Sequence, residues 1–201
     1  MSTTRRRSIM SCGCNNHTRC SCQPNGCPSA IQIVGLCDPS TITFEGLDTD
    51  DRNWTEVSIP EVLHIPPQKP DIETIDKVFV QVKILSKRVI RTPISTEENA
   101  EGTKLTGWKL VIEGVVKQKV VYTAWNAVQS VHSAHFTVPF SAFIILPGDT
   151  TEEDRFCVET CVEDVFVKAI NDREIFKNVT LFLKATKEPP FCPPVPPPPT
   201  P

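Results

Sequence analysis

The sequence predicts an all-β protein: an antiparallel β-sandwich or barrel-like domain with a cysteine-rich N-terminal arm and a proline-rich C-terminal tail. Three observations carry that expectation. Between residues 78 and 183, β-branched and aromatic residues recur at every second position, the signature of half-buried strands. No stretch carries a convincing apolar stripe at helical spacing. The connections EENAEG (97–102) and PGDTTEED (147–154) are polar and turn-rich, and INDRE (170–174) is short enough for a hairpin.

The elements follow in chain order. Residues 1–37 form the arm, whose run SCGCNNHTRCSCQPNGCPSA (11–30) has almost no apolar residues and cannot bury a core of its own. At its end IQIVGL (31–36) alternates well enough for a short strand. A polar linker (38–53) leads into the β domain, residues 54–187. There PPQKP (66–70) must be extended, because proline fixes φ and biases the residue before it away from helix. DIETIDKV (71–78) is read as a turn or two of helix at most.

The strands come next. Val78, Val80, Val82 and Ile84 share one face of 78–85. Leu110, Ile112, Val116, Val120 and Tyr122 share parity in 110–122, with Lys117 and Lys119 on the other side. Ala134, Phe136, Val138, Phe140 and Ile144 do so in 131–144, and Ile175, Val179, Leu181 and Leu183 in 175–183. The tail, 188–201, is polyproline II or unstructured in expectation, a spacer or a docking strand.

Composition narrows the function classes. A chain of 201 residues holds one ordinary domain with extensions, and a formal charge of −3 argues against a dedicated nucleic-acid surface. Arg5–Arg6–Arg7 is too short to supply one. No run approaches the roughly 18 apolar residues of a membrane span, and no apolar signal-peptide core follows Met10. The protein is therefore expected to stay in the cell that makes it. There is no Walker loop and no Gly-rich dinucleotide turn, so no cofactor is expected.

Cysteine is the chemistry-bearing residue. Cys12, Cys14, Cys20, Cys22, Cys27 and Cys37 crowd the arm, Cys157 and Cys161 lie in the body, and Cys192 in the tail. Cys157 and Cys161, four apart on a strand, face one side with Cα atoms about 13 Å apart, too far for a mutual disulfide, which needs less than about 7 Å. Each is either a thiol or bonded elsewhere. Parity with Val165 and Val167 suggests a buried inert pair; the functional reading makes them receptors for arm cysteines of neighbouring subunits. All nine are candidates for intersubunit disulfides. Zinc is the rival account of the arm, with His17 between the cysteine pairs. However, C-x-C spacing closes a tetrahedral site awkwardly compared with C-x2-4-C, so no metal ligand is assigned.

Other constellations yield no catalytic residue. His132 has the apolar parity of Phe136 and His135 the polar parity of Ser133, so the histidines point to opposite faces, and no Gly-x-Ser-x-Gly elbow accompanies Ser130 or Ser133. Glu152, Glu153 and Asp154 lack the alternating oxygens of a calcium loop. The sequons at Asn53 and Asn178 are short enough to arise by chance.

WTEVSIPEVLHIPPQKP (54–70), QSVHSAHFTVPFSAFIIL (129–146) and CVEDVFVKAINDREIFKNVTLFL (161–183) together resemble the SPOCS-domain family of spore-coat and spore-morphogenesis proteins of clostridia and bacilli. QKPDIETI (68–75), the EG…QKVVY block (113–122) and FKNVTLFL (176–183) carry the resemblance most specifically, and it covers about 54–185. It implies a structural, non-enzymatic role at the spore surface, in coat, exosporium or appendage, for a protein made in the mother-cell cytoplasm. Thiols stay reduced there, and cross-linking becomes reasonable once the mother cell lyses. Relatives often carry a second module such as a peptidoglycan-binding repeat; none is seen here, which favours a building block.

The expected function is thus a spore-surface protein that self-assembles into a fibre, appendage or layer. Disulfides between the arm and the β domain of neighbouring copies would lock it. Its main partner is itself, with other coat or exosporium proteins as further partners. The alternatives are a monomeric adaptor that recruits coat proteins and, behind it, a zinc-binding protein.

Overall fold

Inward and outward side chains alternate along the strands between bulges, and that alternation sorts the chain into two layers. The computed structural model describes residues 31–38, 53–98, 100 and 103–188. Its strands are β1 (Gln32–Val34), β2 (Trp54–His64), β3 (Ile72–Ile94), β4 (Thr106–Ala124), β5 (Val131–Ile145), β6 (Phe156–Ala169) and β7 (Glu174–Lys187). One sheet has the order β1-β3-β4-β5 and the other β2-β7-β6. A single core, drawn from the inner faces of both, includes Val78, Ile112, Val116, Val120, Val179 and Leu181. The all-β expectation holds, and of its two forms the structure is the sandwich.

All pairings are antiparallel except one. β1 runs parallel to β3, matching Gln32–Val34 with Lys77–Phe79. Residues 71–78 extend into β3 instead of turning as a helix. Ile72 and Ile75 are three apart and both buried because bulges between Ile72 and Thr74 and between Ile75 and Lys77 re-aim the backbone. That spacing imitates a helical face. The edge strands β2 and β5 each carry a mid-strand proline, Pro60 and Pro139, which cannot donate to a further ladder. The arm up to Ala30, most of the 38–53 linker and the tail from 189 lie outside the described residues.

One side chain makes four of the hydrogen bonds that hold the crossing from β2 to β3. Arg173, in the β6–β7 turn, donates to Asp71 Oδ1 at 2.7 Å and to three carbonyls, those of Lys69 (2.8 Å), Pro66 (2.9 Å) and Ile65 (3.0 Å). Tyr122 Oη adds a bond to the Pro70 carbonyl at 3.0 Å. Burial raises the Tyr122 phenol pKa, with the Arg173 charge opposing and Asp71 adding to the rise. The proline segment has few amides to fold on itself, so its carbonyls need an outside donor, and the guanidinium fork supplies it.

Arg173→Ala should therefore destabilise the domain by about 2–4 kcal/mol, with Arg173→Lys recovering little of it, because a lysine cannot span four acceptors in a plane. Denaturant midpoints of the three proteins check this; a lysine variant as stable as the parent would contradict it.

Candidate functional site

The seam between β3 and β6 is where the N-terminal arm meets the domain. Gly35 follows β1 with φ +107°, and a Cβ there would collide with the Val80 carbonyl oxygen. Only a glycine lets the chain leave the β3 edge so tightly. Two residues on, the Cys37 amide donates to the Val162 carbonyl at 3.0 Å, and Cys37 is disulfide-bonded to Cys161 with Cα atoms 5.3 Å apart. Residues 31–38 thus touch both sheets: a strand on one and a covalent bond to the other. Among the described residues β1 covers β3 at Lys77–Phe79, and the outer edge of β3 beyond has no paired strand.

Parity misplaces the body cysteines. A bulge between Val162 and Asp164 resets the alternation of β6, so Val165 pairs with Val179 and faces the core, whereas Cys161 pairs with Phe182 on the outward side. Cys157, paired with Thr186, is outward too. Both are nonetheless almost fully covered, Cys157 at 6% and Cys161 at 4% exposure. Cys157 is disulfide-bonded as well. The two cysteines do not share the core face with Val165 and Val167. The consecutive acids Glu163–Asp164 were the available signal, since strict alternation would bury one of them. Cys12, Cys14, Cys20, Cys22, Cys27 and Cys192 lie outside the described residues.

The remaining sequence candidates separate. His132 stacks on Tyr122 with ring centroids 6.0 Å apart, and its Nε2 is 3.0 Å from Ser130 Oγ. His135 is exposed on the outward side of β5. Asp154 accepts from the Thr151 amide at 2.9 Å and meets Lys187 at 2.9 Å; those hydrogen bonds, Thr151 foremost, lower its pKa. Asn53 Nδ2 donates to the Ala185 carbonyl, and Asn178 accepts from Ser58. Among the described residues no cluster of His, Cys, Asp and Glu is arranged to hold a metal, and no helix is long and apolar enough to cross a membrane.

Sequence reasoning missed a polar group inside the sandwich. Lys177 shares the inward parity of Ile175, Val179 and Leu181 and has 0% exposure. Its cross-strand partner is Glu61, which also faces inward from β2. Lys177 Nζ, Glu61 Oε2 and both amide atoms of Gln118, on the inner face of β4, are buried without a hydrogen-bond partner. Burial lowers the Lys177 pKa to about 8, with the Glu61 charge acting the other way.

Residues 71–170 match the family model of the SipL, SPOCS domain. The match runs from the start of β3 to the end of β6 and includes the bulged cysteine strand. The chain belongs to the SPOCS-domain family. That membership ties it to sporulation. No curated protein and no solved structure matches it.

Two outcomes follow for the SPOCS domain. Lys177 titrates near 8 when folded and near 10.4 when unfolded, so between those values the unfolded chain binds the extra proton and stability rises with pH. Lys177→Met should be the more stable protein at pH 7, by on the order of 3 kcal/mol, and its advantage should shrink between pH 8 and 10. Paired denaturant titrations across that range read the difference; a constant gap would contradict the assignment. The Cys37–Cys161 bond spans 124 residues, so Cys161→Ser should lower stability by up to about 4–5 kcal/mol under oxidising conditions. The parent and the variant should converge once reduced, as melting curves with and without reductant will show.

Proposed function

We propose that this SPOCS protein is a structural component of the spore surface, in coat, exosporium or appendage. It assembles with copies of itself, locked by disulfides between the arm of one copy and the β6 cysteines of the next. The observation that carries this reading is the mode of attachment of residues 31–38: three residues of strand pairing, one amide bond and one disulfide. Such a segment makes the same contacts whether it comes from its own domain or a neighbour's, which is the logic of strand addition at a sheet edge and of segment exchange. Cys37 and Cys161 then become an intersubunit pair by exchange, and Cys157, itself disulfide-bonded, becomes a second receptor on the same strand by the same exchange. The arm cysteines Cys12, Cys14, Cys20, Cys22 and Cys27 supply further donors. The protein acts as a building block and not as an enzyme.

A second reading rests on the same bond. Cys37–Cys161 within one chain is also what a monomeric adaptor contains, and such a protein recruits other coat components without assembling.

Isotope mixing separates the two. Purified chains labelled with ¹⁴N and ¹⁵N are combined under reduction, oxidised together, and examined on reducing and non-reducing gels and by negative-stain microscopy. The building block gives a ladder or non-entering material that collapses to monomer on reduction, ordered objects on the grid, and hybrid light–heavy peptides joining Cys37 or another arm cysteine to Cys157 or Cys161. A monomer in both lanes with unmixed peptides gives the adaptor instead.

A further inference from the structure

Strand pairing gathers charges that the sequence scatters. On the outward face of the β1-β3-β4-β5 sheet, Phe79 pairs with Lys119 and Gln81 with Lys117, while Lys77 and Lys83 flank them along β3. Lys77 and Lys119 both lie over the Phe79 ring, at 5.5 and 5.4 Å, and Lys109 lies 4.1 Å from the centre of the Phe143 ring. The carboxylates nearby are already engaged: Asp76 accepts from Thr123 and Glu113 meets Arg88 at 3.3 Å. Among the described residues Lys83 and Lys117 are exposed and have no carboxylate in ion-pair range. A chain of net charge −3 therefore presents one strongly basic face.

The opposite side of the sandwich has the opposite sign. On the outward face of the β2-β7-β6 sheet, Glu56, Glu159, Glu163 and Asp164 are all exposed. The β6 bulge turns the consecutive acids Glu163 and Asp164 outward together. Partial desolvation and the charge of Glu56 raise the Glu163 pKa, which places the two carboxylates in one neighbourhood. The cations of that face are Lys184, the buried cross-strand partner of Glu159, and Lys168, at the far end of β6.

We infer that the basic face bearing Lys77, Lys83, Lys117 and Lys119 is the docking surface for the acidic face of a second copy of this chain. The inference rests on the self-assembly proposed above and supplies its non-covalent interface. A second copy fits better than an anionic polymer, because the same molecule displays both halves of the complementary pair, while its net charge of −3 weakly repels a polyanion. Two different faces meeting make a heterologous contact, which propagates into an open array or closes as a ring. Single exposed ion pairs contribute little. Two opposed charge clusters on the two sheet faces instead orient the encounter and fix which side meets which, with a strong dependence on salt.

The experiment reverses each face in the full-length chain: Lys117→Glu with Lys119→Glu in one variant, Glu56→Lys with Glu163→Lys in the other. Light scattering and negative-stain microscopy follow assembly in low salt and in 0.5 M salt. The parent should assemble at least tenfold more slowly in high salt, each variant alone should fall by a similar factor or fail, and an equimolar mixture of the two should recover. Recovery also proves that both variants fold. If both variants assemble as the parent does, the faces are not the interface, and the disulfide-linked polymer stands without them. If the parent itself stays monomeric, the self-assembly reading falls and this inference with it. If that monomer binds polyaspartate through Lys117 and Lys119, the basic face serves an anionic polymer and the inference is overturned.

Discussion

Four hydrogen bonds from one guanidinium fix the geometry on which the rest of this domain depends. Arg173 closes the end of the sandwich where the chain passes from one sheet to the other, accepted by Asp71 and the carbonyls of Ile65, Pro66 and Lys69. Prolines at 66, 67 and 70 make that passage stiff but leave it few donors of its own, the Lys69 amide to the Pro66 carbonyl among them. Arg173 sets where β3 starts, and Ile72 is locked there by its amide to the Asp172 carbonyl at 2.8 Å. From that start β3 acquires its register against β4, its edge receives β1, and the turn at Gly35 brings Cys37 to Cys161. The covalent seam is thus a downstream consequence of a polar clip at the far side of the molecule.

The core explains why such a clip is needed. Lys177, Glu61 and Gln118 bring unpartnered polar atoms into a layer dominated by valine, isoleucine and leucine. A buried amine or carboxyl without full compensation costs folding free energy, so stability must come from elsewhere: the long β3–β4 ladder, the apolar inner faces and the clip. A buried ionisable pair of this kind also specifies register, because a one-residue slip of β2 against β7 would turn Glu61 outward while Lys177 stayed inside.

Much of this was legible in the sequence, and the gaps have physical reasons. Period-two alternation in β4, β5 and β7 gave the inward residues correctly, since strands buried on one face must alternate. The resemblance of 54–185 to SPOCS domains pointed to the family that the match over 71–170 shows. What failed was whatever depends on a bulge or on pairing. One bulge turned Val165 away from Cys161; two more let Ile72 and Ile75 pose as a helical turn. Lys177 escaped notice because a lysine among apolar residues is normally read as a surface group, although its parity with Ile175 and Val179 was available. The parallel placement of β1 and the union of Lys77 with Lys119 lie beyond any single-strand pattern, because both depend on which strands become neighbours.

The attachment of residues 31–38 sets a condition on any assembly. A segment that makes identical contacts in its own domain and in a neighbour's contributes no net free energy on exchanging. Tethering moreover makes the intramolecular arrangement a unimolecular event that free copies must outcompete. On that ground alone closed monomers are favoured at ordinary protein concentration. For exchange to win, an interface outside the segment must hold two copies together long enough for thiol–disulfide exchange to transfer the bond. The oppositely charged sheet faces proposed above would meet that requirement, and the acidic one carries Cys161 and Cys157 on the same outward side of β6, next to where the bond is transferred. In such an assembly charge decides which copies meet and in what orientation, and the cysteines make the result permanent.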